Sequence, residues 1–206
     1  MNYNGVEIVW LKHSGFELIS KDKIVCIDPY VETKDYADII LITHDHYDHF
    51  SPERIREIIK EDTIVVLPES LKGKEDPEWN VVFVSPGRII KRDNIIITVV
   101  DAYNINKHYH KKGVCMGYII EINGVKIYHA GDTDLIPEMK DIKCDIALLP
   151  VGGTYTMDAK DAAKAAKIIH PKIAIPMHYG SIVGTKDDAE KFKEYLKGTD
   201  IDVVIL

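Results

Sequence analysis

The 206-residue sequence predicts a single α/β domain of the α+β kind, in which two β-rich halves stack as two sheets with helices outside. Three observations lead to this fold class. Short β-favouring runs dominate the first half, strands and helices alternate in the second, and each half leads through hairpins to a buried strand followed by a helix. One sizeable core suffices at this length, so we expect one domain over residues 1–206.

The first half begins as a meander of three short strands. Turn residues at 13–15 and 21–23 separate the β-favouring runs, and Asp28-Pro29 ends the third run. The three strands cover residues 6–11, 16–20 and 24–27.

A nearly continuous apolar run at residues 37–43 is typical of a strand that is buried on both faces. Ser51 then supplies an N-cap, Pro52 occupies the first helical position, and isoleucines at helical spacing form one apolar face. We therefore expect a helix that ends near Glu61.

The remaining elements rest on the same kinds of signal. Asn123-Gly124 is the strongest hairpin signal in the chain. Alanines on one face predict a helix over residues 158–169, and a capping box beginning at Thr185 predicts another that ends near Leu196. Further strands are expected at residues 63–67, 81–84, 89–90, 95–100, 115–122, 125–129, 144–151, 172–177 and 200–206.

The segment of residues 43–49, T-H-D-H-Y-D-H, follows the buried strand and is dense in metal donors. The imidazole and carboxylate donors are His44, His46, Asp48 and His49. Such donors suit a borderline divalent ion, and alternation along an extended turn would direct the first two to one side and the last two to another. We expect one or two divalent ions, with Zn²⁺ the best match and Mn or Fe as alternatives. The competing interpretation is an exposed polar loop.

Two further donors occupy comparable positions at the ends of predicted strands. Asp132 lies in a glycine-bounded turn after one strand, and His178 directly follows another. Strand ends can converge at one sheet edge, so both are metal-ligand candidates. The alternatives are that Asp132 caps its own turn and that His178 is a surface residue.

The H-x-H-x-D-H pattern resembles the signature of the metallo-β-lactamase superfamily. The chain also resembles the branch of this superfamily that contains ascorbate-phosphate lactonase, although Lys12 replaces a common glycine. The segments that carry this resemblance are residues 10–15, 28–29, 102–104, 128–134, 153–158 and 176–180. The resemblance implies a four-layer αββα sandwich with metal at one edge, in which Asp132 bridges two ions and His178 completes the second site.

The chain departs from this family pattern at one ligand position. Another histidine is usual beside His44 and His46, and this chain has Asn104 at the corresponding place. His110 or His108 could supply the missing donor from the loop beyond, water could fill the position, or only one ion could bind firmly.

Residues near the motif are expected to support it. Asp28 could accept the spare N–H of a ligating imidazole, or only cap the turn before Pro29. His13 and His129 are predicted to be structural, because a lone histidine at a strand end is more often hydrogen-bonded than ligating.

The donor set predicts metal-assisted hydrolysis, and the resemblance implies a small ester, lactone or phosphodiester as the substrate. Asp48 would orient the attacking water, and His110 or Tyr103 would protonate the leaving group. Lysines 107, 111 and 112, in the long loop of residues 103–113, favour an anionic substrate, although Lys107 and its neighbours could equally be solvated surface. A non-catalytic metal-binding protein is the alternative.

Composition excludes several other classes. The net charge of −7 and the lack of a basic tract argue against a nucleic-acid partner. The chain also lacks the features expected of a nuclease or of a di-iron redox protein with this fold. No signal peptide is evident, and no apolar run approaches the roughly 20 residues of a membrane span, so a cytoplasmic protein is expected. The three cysteines lie in apolar runs and are expected to be buried thiols. The expected partner is a small-molecule substrate, and the sequence does not decide whether the protein forms a homo-oligomer.

Overall fold

Two seven-stranded β-sheets, each built from consecutive strands, form the centre of the protein. The structure is a computed structural model that describes residues 1–21, 23–33 and 35–206. The first sheet contains β1 (Asn2–Tyr3), β2 (Val6–Trp10), β3 (Phe16–Ser20), β4 (Lys23–Ile27), β5 (Ile39–Leu41), β6 (Ile64–Pro68) and β7 (Asn80–Val84). The second contains β8 (Ile89–Arg92), β9 (Ile95–Ala102), β10 (Cys115–Ile122), β11 (Val125–His129), β12 (Ile146–Pro150), β13 (Ile173–Met177) and β14 (Asp202–Val203).

The two sheets repeat one pairing pattern. Strands β1 to β4 pair in antiparallel fashion and β4 to β7 in parallel. In the second sheet, strands β8 to β11 pair in antiparallel fashion and strands β11 to β14 in parallel. The predicted two-fold rhythm is therefore confirmed, and it places the carboxyl ends of corresponding parallel strands at one edge.

Helices cover the outer faces of the two sheets. In β5, Ile39 and Leu41 point into the core between the sheets, whereas Ile40 packs with Ile55 and Ile58 of α1 on the other face. The second sheet is covered in the same way, because α2 packs against β12 and α3 against β13. The helices are α1 (Pro52–Ile58), α2 (Ala159–Ile169) and α3 (Lys186–Tyr195). The predicted fold class is confirmed.

Helix ends follow the predicted capping chemistry. The N–H of Asp161 donates to the carboxylate of Asp158 at the start of α2, and Thr185 and Asp188 form the capping box of α3. His170 ends α2 in the left-handed conformation at φ 58°. All three cysteines are free thiols, with Cys26 and Cys115 buried and Cys144 partly buried.

Some boundaries differ from the predictions. Helix α1 ends at Ile58 rather than near Glu61, because the Thr63 hydroxyl accepts the N–H of Lys60 and donates to Ala37 O, which holds the chain extended. Strand β14 is only two residues long. Strand β1 and the short 3-10 helices Glu69–Leu71 and Pro137–Asp141 were not predicted, and Asp22, in the second predicted turn, lies outside the described residues.

Hydrogen bonds join the two sheets at the edge where the donor motif lies. The Tyr118 hydroxyl of β10 donates to Ile42 O at 2.5 Å, and the Met116 N–H donates to Thr43 O at 2.9 Å. His129 Nε2 lies 2.8 Å from Ser14 O, so this histidine is structural, as predicted. These bonds fix the motif relative to the second sheet. Within the described residues, no helix has the length and apolar character needed to cross a membrane.

Replacing Tyr118 with phenylalanine tests this connection. The Ile42 carbonyl would lose its buried donor, so the free energy of unfolding should fall by about 1–2 kcal/mol in urea denaturation. Tyr195→Phe is the matched control, because that ring is 46% exposed on α3. An equal stability for both variants would contradict a structural role for the Tyr118 hydroxyl.

Candidate metal centre

Strand ends from both sheets bring the predicted donors together. The segment after β5 carries His44, His46, Asp48 and His49, and the segments after β11 and β13 carry Asp132 and His178. These side chains form overlapping groups whose donor atoms lie within 4.8 Å of one another. The groups are His44, His46 and His110; His13, Asp48, His49 and His178; and His44, His49 and Asp132.

His110 lies beside His44 and His46, where the donor that is missing at position 104 is expected. Its Nε2 lies 3.3 Å from His46 Nδ1 and 3.4 Å from Asp132 Oδ2, and His44 Nε2 lies 2.9 Å from the same His46 nitrogen. Asn104 Oδ1 accepts the backbone N–H of His110 at 3.0 Å and its Nδ1–H at 3.1 Å. Asn104 therefore fixes the imidazole with Nε2 directed at the donor group. His108 is exposed and stands outside it.

Asp132 lies between two halves of the centre, one made of His44, His46 and His110 and the other of His13, Asp48, His49 and His178. One of its oxygens, Oδ2, is 3.0 Å from His178 Nε2, 3.5 Å from His49 Nε2 and 3.4 Å from His110 Nε2. The arrangement matches the bridging position that the family resemblance implies. Gly131 permits this turn, since its φ is +64° and a Cβ there would lie 2.4 Å from Met116 O.

Asp28 orients imidazoles in both halves. Its Oδ2 accepts the Thr43 hydroxyl at 2.6 Å and lies 2.7 Å from His49 Nδ1. Because the Thr43 hydroxyl proton is directed to the carboxylate, its oxygen accepts Nδ1–H of His44 at 2.9 Å. The Nε2 atoms of His44 and His49 are thereby left for a ligand. This is the contact that the sequence analysis predicts for Asp28.

His13 belongs to the centre, contrary to the prediction that it lies outside. Its Nε2 donates to Asp48 Oδ2 at 2.9 Å, and its ring centroid is 4.0 Å from that of His178. The prediction failed because His13 was weighed as a lone histidine. The segment of residues 10–15 that carries the family resemblance contains it and could have indicated its role.

Burial and the neighbouring charges separate the protonation states of these groups. Burial lowers the pKa of His44 well below its ordinary value and that of His110 to about 4, so both rings are neutral donors at pH 7. Burial would also lower the pKa of His49, but the charges of Asp132 and Asp28 raise it well above 6.5. Burial opposes ionisation of Asp132, yet His178 and His49 hold the pKa of this carboxyl well below its usual range.

Unpaired buried atoms show that these residues fit a divalent ion. Among the described residues, His49 Nε2 and Asp132 Oδ1 are fully buried without a hydrogen-bond partner. A buried polar atom without a hydrogen-bond partner destabilises the folded protein unless a ligand binds to it. Imidazole nitrogens and carboxylate oxygens gathered at this spacing are the donors of Zn²⁺ and related ions. The centre therefore fits one or two metal ions.

Three predicted loop residues do not line the centre. The Tyr103 hydroxyl donates to Glu138 at 3.0 Å, so it is directed away from the donors. The Lys107 ammonium donates to Asp134 Oδ1 and Thr156 O, each at 2.6 Å. Lys112 pairs with Glu138 at 2.6 Å, so neither of these cations is free for an anionic substrate.

A cavity of about 450 Å³ opens onto the donors. Five of the donors line it: His46, Asp48, His110, Asp132 and His178. The sequence analysis missed the aromatic part of its wall. Tyr47 between His46 and Asp48, and Tyr109 before His110, were the available signals.

Comparisons with known proteins agree with the metal-binding interpretation. The family model of the beta-lactamase superfamily domain matches residues 7–178. A UPF0173 metal-dependent hydrolase of Thermoplasma acidophilum is 38% identical over 98% of this chain and 95% of its own, and one of Methanosphaera stadtmanae is 35% identical over 91% and 89%. Igni18, a metallo hydrolase of Ignicoccus hospitalis, superposes with a TM-score of 0.81 at 27% identity, over 98% of this chain and 94% of that one.

Asn104 provides a first test of the centre. Asn104→Ala removes the acceptor of His110 Nδ1–H, so the affinity for Zn²⁺ should fall about 10- to 100-fold in a competition titration with a chelator. Asn104→Asp keeps an acceptor at the same place and should retain more affinity than alanine. Equal affinity of all three proteins would show that His110 needs no such support.

The raised pKa of His49 gives a second test. Without metal this imidazole holds its proton at pH 7, and a metal ion must displace it. Apparent Zn²⁺ affinity should therefore fall by up to about ten-fold for each unit that the pH drops from 8 toward 6. Calorimetry in two buffers of different ionisation enthalpy should also detect proton release. Binding that is independent of pH and buffer would refute a protonated His49.

Proposed function

The chain belongs to the UPF0173 metal-dependent hydrolase family of the metallo-β-lactamase superfamily, and on that premise we propose that it hydrolyses a small ester, lactone or phosphodiester, with Zn²⁺ as the working ion. The observation that carries this proposal is the position of Asp48. Its carboxylate lines the cavity with Oδ2 3.6 Å from His49 Nε2, and it accepts a hydrogen bond from His13.

A divalent ion held by imidazole and carboxylate groups lowers the pKa of water toward neutrality and polarises the bond under attack. The neutral rings of His44 and His110, and the ionised carboxyl of Asp132, supply the donors in the protonation states that such an ion requires. The mixed nitrogen and oxygen donor set supports Zn²⁺ before Mn²⁺ or Fe.

Asp48 is the proposed proton acceptor. Burial would raise the pKa of its carboxyl, but the hydrogen bond from His13 and the charge of His49 lower it below its ordinary value. Asp48 is therefore ionised at neutral pH and can orient the attacking water and take its proton. Water adds to the carbonyl carbon or phosphorus, the bond to the leaving oxygen breaks, and the proton passes to that oxygen.

The other predicted proton donors fit this role less well. His110 directs Nε2 at His46 and Asp132, which is the geometry of a ligand, and Tyr103 is bonded to Glu138. Asp48 thus serves in both proton transfers.

The resemblance to ascorbate-phosphate lactonase supports a lactone or ester carbonyl as the first bond to test. Because Lys107 and Lys112 are already paired with acidic side chains, the metal centre itself would neutralise negative charge on the substrate. The alternative, a non-catalytic metal-binding protein, drew its support from Asn104, and that support weakens because Asn104 positions His110.

Activity on a panel of esters, lactones and phosphodiesters tests the proposal. Turnover should disappear on chelation and return with added Zn²⁺. Asp48→Asn should lower kcat at least about 100-fold, since it removes the proton acceptor. Metal content, measured in parallel, distinguishes this effect from loss of the ion.

Asp45→Asn is the matched control for that variant. Asp45 lines the same cavity but pairs with Lys74 at 2.7 Å and belongs to none of the donor groups, so its replacement should change kcat by less than about three-fold. Stoichiometric metal without turnover on any class of substrate would favour the non-catalytic alternative.

A further inference from the structure

The cavity above the metal centre has an aromatic and apolar wall. Tyr47, Tyr109, Tyr155 and Ile182 line it together with the donors. The rings of Tyr109 and Tyr155 meet edge to face, with centroids 4.7 Å apart and planes at 82°. Aromatic side chains in this arrangement hold one another in place, so the part of the wall made by Tyr109 and Tyr155 is preformed.

The wall residues are adjacent in sequence or hydrogen-bonded to residues of the metal centre. Tyr47 lies between His46 and Asp48, and Tyr109 directly precedes His110. Asn104 donates its amide N–H to Tyr155 O at 2.9 Å while its oxygen accepts from His110. The backbone that carries each of the three rings is therefore held close to the donor groups.

Folding does not explain the exposure of these side chains. Tyr47 is 71% exposed, Tyr109 54% and Ile182 37%. Single exposed apolar residues are ordinary, but several around one concave site, next to polar groups that converge, are typical of a ligand pocket.

The charges around the cavity favour an uncharged ligand group at this wall. Among the described residues, those that line the cavity include no lysine or arginine. Lys107 pairs with Asp134 and Lys112 with Glu138, and both thus stay outside the cavity. A charged substituent on the substrate would find no cationic side chain at the wall.

We propose that the substrate carries a compact apolar group, aromatic or branched, beside the bond that is hydrolysed, and that Tyr47, Tyr109, Tyr155 and Ile182 bind this group. The inference rests on the proposed hydrolase function and narrows its substrate class. A cavity of about 450 Å³ has room for one ring together with an ester or lactone. The wall residues select the substrate, whereas the donors and Asp48 act on its scissile bond.

Matched substrate pairs that differ by one phenyl ring test the inference on the Zn²⁺-loaded protein. The pairs are γ-phenyl-γ-butyrolactone with γ-butyrolactone, methyl phenylacetate with methyl acetate, and benzyl methyl phosphate with dimethyl phosphate. In the class that is hydrolysed, the phenyl member should have a kcat/KM at least about ten-fold higher, mainly through a lower KM.

Variants of the wall then locate the selectivity. Tyr109→Ala and Tyr155→Ala should each lower the ratio between the phenyl and the plain member about three- to ten-fold. Tyr109→Phe should keep the ratio, because the ring rather than the hydroxyl makes the contact. Tyr195→Ala is the control, since that exposed tyrosine lies on α3 and does not line the cavity. Metal content is measured for every variant.

Binding is followed separately by saturation-transfer NMR on the same pairs. Transfer to the phenyl protons that depends on Tyr109, without turnover, would uphold the inference while the proposed function fails. Turnover with no phenyl preference, or a preference unchanged in both alanine variants, would overturn the inference and leave the proposed function intact. No turnover together with no transfer would overturn both.

Discussion

Asp28 and Thr43 hold the metal centre in shape. Both are fully buried, and the carboxylate accepts the Thr43 N–H, the Thr43 hydroxyl and His49 Nδ1–H, while the hydroxyl in turn accepts from His44. Asp28 adopts φ 44°, a left-handed conformation that aspartate tolerates better than most residues. One carboxylate therefore sets the direction of a ligand in each half of the centre. The end of β4 thus matters to the chemistry as much as the donor motif that follows β5.

The sequence predicted the parts of this site that depend on local pattern. His44 to His49 lie within a few residues of one another, and Asn123-Gly124 marked the hairpin between β10 and β11 with its observed ends. Contacts between distant residues could not be read in this way. His13 meets Asp48 across 35 residues, and Thr63, which ends α1 early, bonds Ala37 across 26. Lys107 appeared free for a substrate because its partner Asp134 arrives from another strand end.

The two functions of the cavity use different side chains on the same segments. The donors that line it are buried, apart from the half-buried His46, whereas Tyr47 and Tyr109, their neighbours along the chain, are exposed. Residues 46–49 form a tight turn, closed by the N–H groups of His49 and Phe50 donating to His46 O, and neighbouring side chains in a turn point in different directions. One short segment can therefore carry both a candidate metal donor and a proposed specificity contact. Substrate preference can then change at Tyr47 or Tyr109 without a change of ligand.

The sequential order of strands in each sheet has a consequence for how the protein folds. Every strand pairs with its neighbours along the chain, so each sheet can form from contacts of short sequence separation, for which loop closure costs little entropy. Contacts between the halves, such as Tyr118 with Ile42 or His178 with His13, span much longer separations and can form only when the sheets dock. The candidate centre draws donors from both sheets, so its full set of donors can assemble only once the two sheets have docked.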